Sequence, residues 1–271
     1  MRQELRLQKR QRYLDAAVTI VMRDGFDGLT MTSIAREVDA AVGTIYGYFH
    51  SKSSLIAELQ IYAIDTLVSA WAGAHARWSE AFAAHGLDNS ECAIAELLSF
   101  AEYFVDIQRD YPEEFRLQQM QLADRSQRFN SDDLKRLVPA AAELLKGPYN
   151  VVEAAAEVGV IDQPDLVFER SMTLALTLNG VGLVGNVPFA SELVDLRRMT
   201  RRVIADLAIG WGADKATIAT VLPVVAEVAA AIPLASLEGY ESHLARAGAL
   251  AEAGPDVIDL STARPIPATA S

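Results

Sequence analysis

Cysteine is all but missing: Cys92 stands alone among 271 residues, so no disulfide can form within the chain. That scarcity favours a reducing compartment, and the expected location is cytoplasmic. The four histidines, His50, His75, His85 and His243, form no H-E-x-x-H pair or other close metal-ligand spacing. Asp132–Asp133 is followed by Leu134, Lys135 and Arg136, which breaks the aspartate cluster that magnesium-dependent all-helical enzymes need. A phosphate-cradling G-x-x-x-x-G-K and a nucleophile-bearing G-x-S-x-G are both missing. An all-helical enzyme is therefore the reading these absences disfavour, and no cofactor or metal is expected. The charged start of the chain lacks the apolar core of a signal peptide. Ser171–Ser191 is free of charge for about the length a bilayer demands. It nevertheless carries Asn179, Asn186 and Pro188 with several glycines and threonines, which suits a helix–helix interface rather than lipid. No membrane partner is expected.

What is present is apolar and helix-forming. Hydrophobic residues make up 51% of the chain, aromatics only 7%, and long alternation of Val, Ile and Thr does not occur. The expected fold is all-α. The net charge of −12 argues against a polyanionic partner only until its distribution is seen. Residues 1–58 carry eight basic and seven acidic side chains, so they are +1 and the remainder is −13. Within them, residues 1–12 are +4. A basic tip on an acidic body can neutralise phosphates locally.

The chain is organised around Thr30–Lys52. It reads as a short helix over about Ser33–Val38, a tight turn at Asp39–Ala41 and a second short helix over Val42–Tyr48. Ala35 is small enough for the helices to cross closely, and Ile34, Val38, Ile45 and Phe49 can share a core. That is the spacing of a helix-turn-helix. Thr30, Ile34, Ala35, Gly43-Thr44-Ile45-Tyr46, Tyr48-Phe49, Ser51-Lys52 and Leu55 together resemble the N-terminal domain of TetR-family transcriptional regulators. The resemblance covers about Arg6–Leu59. Two positions depart from the family pattern: Asp39 replaces a glycine and Ala41 a serine. Asp tolerates left-handed geometry, so the turn is expected to form, whereas Ala41 forgoes a side-chain cap.

The resemblance implies an N-terminal three-helix DNA-binding head (residues 1–52), a larger helical ligand-binding and dimerisation body (53–254) and a flexible tail (255–271). It places Val42, Gly43, Thr44, Tyr46, Gly47 and Tyr48 against the DNA major groove and backbone, with Arg36 nearby and Lys52 clamping a phosphate. Between Val42 and Phe49 no Arg, Asn or Gln offers bidentate base readout, so thymine methyls and DNA shape are expected to carry sequence preference.

In the body, Ser51 caps a helix over about Ser53–Ala84, and Glu91–Arg109 forms another. Pro112 sits in the first turn of the next. A helix over Asp132–Lys146, capped by Ser131 or Asp132, is expected to stop at Gly147–Pro148, with a weaker one over Tyr149–Val158. Asp165–Gly185 and Glu192–Gly212 follow; by resemblance they build a four-helix bundle with a second copy. Ala213–Ile232 and Leu234–Glu252 are expected as added segments broken at Pro223 and Pro233. Candidates to line an effector pocket are Trp71, Tyr103, Phe104, Gln118, Gln121 and Asn179, with Trp78 beside them. The implied function is a homodimeric regulator, most simply a repressor, that binds a near-palindromic operator and is released by an unidentified small molecule. A constitutive DNA-binding dimer without a ligand switch is the alternative the residues leave open.

Overall fold

The computed structural model describes residues 2–123, 129–186 and 193–234, with side chains described from residue 3 and not at 121–123 or 185–186. The expected Leu234–Glu252 helix and the tail lie outside these residues, apart from Leu234. Every described regular element is helical, and no strand occurs among them. The helices are α1 (Arg2–Gly28), α2 (Met31–Glu37), α3 (Val42–Tyr46), α4 (Lys52–Ala84) and α5 (Asn89–Asp110). They continue with α6 (Pro112–Ala123), α7 (Ser131–Glu157), α8 (Val167–Gly182), α9 (Leu196–Gly210) and α10 (Lys215–Ala231). The all-α fold is as expected.

These elements form two compact units. The first joins Met1–Gly73 with Asp106–Leu144, and the second joins Ala74–Val105 with Leu145–Pro233. In the first, Leu14, Ala17, Val18 and Val21 of α1 are buried with Ile34, Ala35, Val38, Ile45, Phe49, Leu55 and Leu59. Leu117 of α6 enters the same core. Burying a Leu or Phe side chain is worth ~1.5–3 kcal/mol, so this cluster holds α1–α3 against the start of α4. Gly25, with φ 72°, breaks the helical path of α1, as a left-handed glycine cap should.

α4 is apolar and long enough to cross a membrane by composition alone, but 61% of its most apolar window is buried inside the protein. Its Ser51 cap is present, with the Ser51 hydroxyl accepting from Ser54 N at 3.1 Å.

Beyond shifts of a few residues at helix ends, three features differ from the sequence reading. α7 runs straight through Gly147–Pro148, the expected stop, and absorbs the weaker Tyr149–Val158 helix. Its buried row Asp133, Leu137, Ala140, Gly147, Val151 and Ala155 keeps helical spacing across the proline. Packing outweighs the ~3 kcal/mol that a proline costs in a helix interior. The cap of α7 is Asn130, whose Oδ1 accepts from Asp132 N (2.9 Å) and Asp133 N (2.8 Å); neither Ser131 nor Asp132 serves. Pro223 does not interrupt α10. It is exposed, so the carbonyl one turn back that lacks its donor can bond water instead.

In the second unit, Glu102 of α5 is fully buried and paired to both Arg197 and Arg201 of α9. Arg170 lies 5.6 Å over the Trp211 ring. α10 docks on the later part of α4, where Trp78 Nε1 donates to Ile232 O at 3.0 Å. His75 and Ser79 of α4 both reach Glu96 of α5, at 3.4 and 2.8 Å.

Candidate nucleic-acid interface

The site is built on α2 and α3. Thr30 caps α2 in a reciprocal box: its Oγ1 accepts from Ser33 N at 2.9 Å, and Thr30 N donates to Ser33 Oγ at 2.8 Å. Val38 closes the helix, and Asp39 takes the left-handed conformation at φ 51° that the turn demands. Ala40 N donates back to Ala35 O at 2.8 Å, a backbone bond that closes the turn. Ala41 makes no side-chain cap, as its methyl group requires.

α3 is short, and only Ile45 within it is buried. Val42, Gly43, Thr44, Tyr46 and Gly47 are all exposed. Tyr46 is 51% exposed and does not close the head's core. Tyr48 behaves otherwise. It is half-buried, with its ring edge-on to Tyr13 at 5.0 Å. Tyr46 faces outward at the end of α3, and the turn that follows carries Tyr48 toward Tyr13 of α1. A Cβ on Gly43 would meet nothing within 4 Å, whereas one on Gly47 would press on Thr44 O at 3.2 Å. Gly47 serves the local backbone; Gly43 leaves open space in front of α3.

Arg36 is exposed on α2. Lys52 is also exposed, yet its Nζ donates to Phe26 O at 2.6 Å, tying the start of α4 to the end of α1. An ammonium carries three donors, so this bond leaves two for another acceptor.

Other basic residues come into play that the motif did not single out. Arg12 Nη2 donates to Val38 O at 3.0 Å, capping α2 from α1. Arg10 lies 5.5 Å over the Phe49 ring and pairs with Glu58, which also pairs with Arg136 of α7. Arg6 lies 5.9 Å over the Tyr48 ring. Arg116 of α6 donates to Met22 O of α1 at 3.2 Å. The spacing of Arg6, Arg10 and Tyr13 on one helix face was the available signal for the stacked pair; the longer-range partners had none.

The match to known proteins falls on this geometry. The model of "Bacterial regulatory proteins, tetR family" matches residues 14–59. Over these residues the head is similar to that of TetR-family regulators. The HTH-type transcriptional repressor KstR of Mycolicibacterium smegmatis is 40% identical over 53 residues, 20% of this chain and 26% of that protein. KstR of Mycobacterium tuberculosis is 40% identical over 53 residues, 20% of this chain and 24% of that protein. The chain thus spans about a quarter of the length of these curated relatives.

Structural likeness extends further. FadR from Bacillus subtilis, solved in complex with stearoyl-CoA, gives a TM-score of 0.52 at 18% identity, covering 73% of this chain and 97% of that one. The TetR-family regulator PfmR from Thermus thermophilus gives 0.51 at 16% identity, covering 73% and 96%. At such identity the likeness is one of fold: a helix-turn-helix head followed by a helical body.

The candidate effector residues are dispersed. Trp71 and Gln118 fall in the first unit, buried and half-buried respectively; Tyr103, Phe104 and Asn179 fall in the second. Tyr103 and Phe104 are buried, while Asn179 is half-buried and donates to Ala175 O at 2.7 Å. The side chain of Gln121 lies outside the described residues. Among the described residues, no three His, Cys, Asp or Glu side chains gather as a metal site.

Proposed function

We propose that the protein is a homodimeric, sequence-specific DNA-binding regulator, acting as a repressor that a small molecule releases from its operator. The observation that carries this reading is the outer face of α3. Val42, Gly43, Thr44, Tyr46 and Gly47 point outward from a helix whose only buried residue is Ile45. Gly43 has neither a steric neighbour nor a positive φ to account for it. A bare backbone there admits close approach of a duplex. Thr44 and the Tyr46 hydroxyl are placed for phosphate or base edges, and Val42 for thymine methyls. Arg36 and the remaining donors of Lys52 add phosphate contacts at the margin.

Dimerisation is supported by α8. Phe168 (39% exposed), Met172, Leu176 (59%) and Leu183 (52%) follow one face at spacings of four, four and seven residues. An apolar row this exposed is what a partner surface covers. On α9, Leu196, Met199, Val203 and Leu207 are half-buried beside the inward-facing Thr200, Ile204 and Ala208. A second copy using these helices would hold two heads over half-sites roughly 34–36 Å apart, or a multiple of that spacing.

Release by a ligand is supported by the fold shared with FadR, whose structure holds stearoyl-CoA, and repression by the likeness of the head to KstR. An effector here must bind the conformers differently, since equal affinity shifts nothing.

The test is retention of sheared genomic DNA on the purified protein at two salt concentrations, followed by sequencing. A short inverted repeat, lost steeply as salt rises, is expected. Retention without a common motif would defeat the sequence-specific reading.

A further inference from the structure

We propose that the first three turns of α1 form a second DNA-contacting surface, in which Arg6 and Lys9 hold backbone phosphates flanking the half-site read by α3. The proposal rests on the regulator reading and adds an element outside the helix-turn-helix.

α1 is helical from Arg2, yet its first side chain in the head's core is Tyr13. Between them, Gln3–Arg6, Gln8 and Lys9 are exposed. Packing does not hold this stretch; its Arg, Gln, Leu and Lys residues are good helix formers, and Glu4 favours the N-terminal dipole. The segment is nevertheless +4 over residues 1–12 of a −12 protein. Like charges one turn apart weaken a helix, so the spacing of Arg6, Lys9 and Arg10 does not itself favour α1. A polyanion alongside would reverse their sign of effect.

Their direction is fixed by three contacts. Arg6, Arg10 and Tyr13 share one helix face by spacing. Arg6 lies over Tyr48 at 5.9 Å, Arg10 over Phe49 at 5.5 Å, and Tyr13 edge-on to Tyr48 at 5.0 Å. The row therefore abuts the turn that directly follows α3. Arg10 and Arg12 are already engaged, by Glu58 and by Val38 O. Arg6 meets an aromatic face instead of a carboxylate, and Lys9 is exposed. Both are free to meet phosphate. From Tyr13 back to Arg2 the helix extends ~16 Å at 1.5 Å per residue, enough to track several phosphates beyond the half-site.

The experiment uses the inverted-repeat duplex that the full chain retains, in two lengths: trimmed to the repeat, and carrying about ten flanking base pairs on each side. Affinity is measured across a salt series for wild type, Arg6→Gln, Lys9→Gln and Arg6→Lys, with helix content checked for each. On the long duplex, each Gln variant is expected to bind severalfold more weakly. Its log K against log salt slope should fall by about 0.9 for each phosphate that is no longer neutralised. Arg6→Lys keeps the slope, and on the trimmed duplex all four proteins converge. Lys9 is exposed, so its replacement reads charge alone.

Wild-type slope and affinity in both Gln variants on the long duplex would overturn the proposal. Equal weakening on both lengths would overturn the flanking placement. If wild type binds neither duplex above a scrambled control, the regulator reading fails with it.

Discussion

Tyr46 and Tyr48 sit two residues apart, one exposed and one half-buried. Tyr46→Ala is expected to leave the melting temperature almost unchanged, within ~0.5 kcal/mol, because an exposed ring contributes little to the folded state. It should weaken DNA binding, which a titration on the retained fragment reads. Tyr48→Ala should also lower head stability by about 1 kcal/mol or more, since an aromatic pair contributes ~0.5–1.5 kcal/mol beyond its buried area.

Two carboxylates give opposite pH signatures. Burial pushes the Glu114 carboxyl up, partly offset by the Tyr62 hydroxyl that donates to it at 3.2 Å. A raised acid destabilises the fold wherever it must ionise. Glu114→Gln should therefore stabilise at neutral pH, with the gain vanishing as pH falls below the acid's folded pKa. Glu96 is lowered, chiefly by its bond to His75 and also by Ser79. Its contribution is present above the ordinary value of 4.5 and is lost as pH falls through the lowered folded value. Unfolding midpoints of both Gln variants, followed from neutral pH to pH 3, check the two signs.

Among the elements, those with strong local signals were legible in the sequence. Ser51 and Pro112 mark helix starts because caps and first-turn prolines act through neighbouring backbone. Asp39 takes the left-handed turn on the same local grounds. The misreadings arose where tertiary packing outvotes a breaker. Gly147–Pro148 looks like a stop, but both residues are buried within the continuous row of α7. Pro223 looks like a break, but it faces solvent in α10. In the site, the exposed face of α3 could be read from spacing, whereas the Lys52 bond to Phe26 O and the Glu58 link to Arg10 and Arg136 join residues distant in sequence. Pro223→Ala restores a helical N–H at an exposed position. It is expected to stabilise the protein by about 1 kcal/mol or more in denaturant unfolding. A drop in stability would mean the ring itself is packed.

At the scale of the whole molecule, the proposed two-fold symmetry would set how two heads meet DNA. Among the described residues the apolar row on α8 stays exposed, and a second copy is its proposed occupant. Leu176→Glu, which places a charge in the middle of that row, should convert the proposed dimer to a monomer in sedimentation while leaving helix content intact. It should weaken operator binding far more than the binding of a single half-site, because two linked heads gain from effective concentration. An unchanged sedimentation coefficient would move the interface elsewhere. The acidic remainder of the chain, −13 against +1 in residues 1–58, would confine contact with a polyanion to the proposed DNA-binding head.

Hydroxyl-radical footprinting of the full-length protein on a retained genomic fragment tests recognition by α3 most directly. Two protected patches are expected on one face of the duplex, centred about one helical turn apart or a multiple of it, over an inverted repeat. Tyr46→Ala should erase both together. Unphased protection along the fragment, or a pattern that Tyr46→Ala leaves intact, would contradict that role for α3.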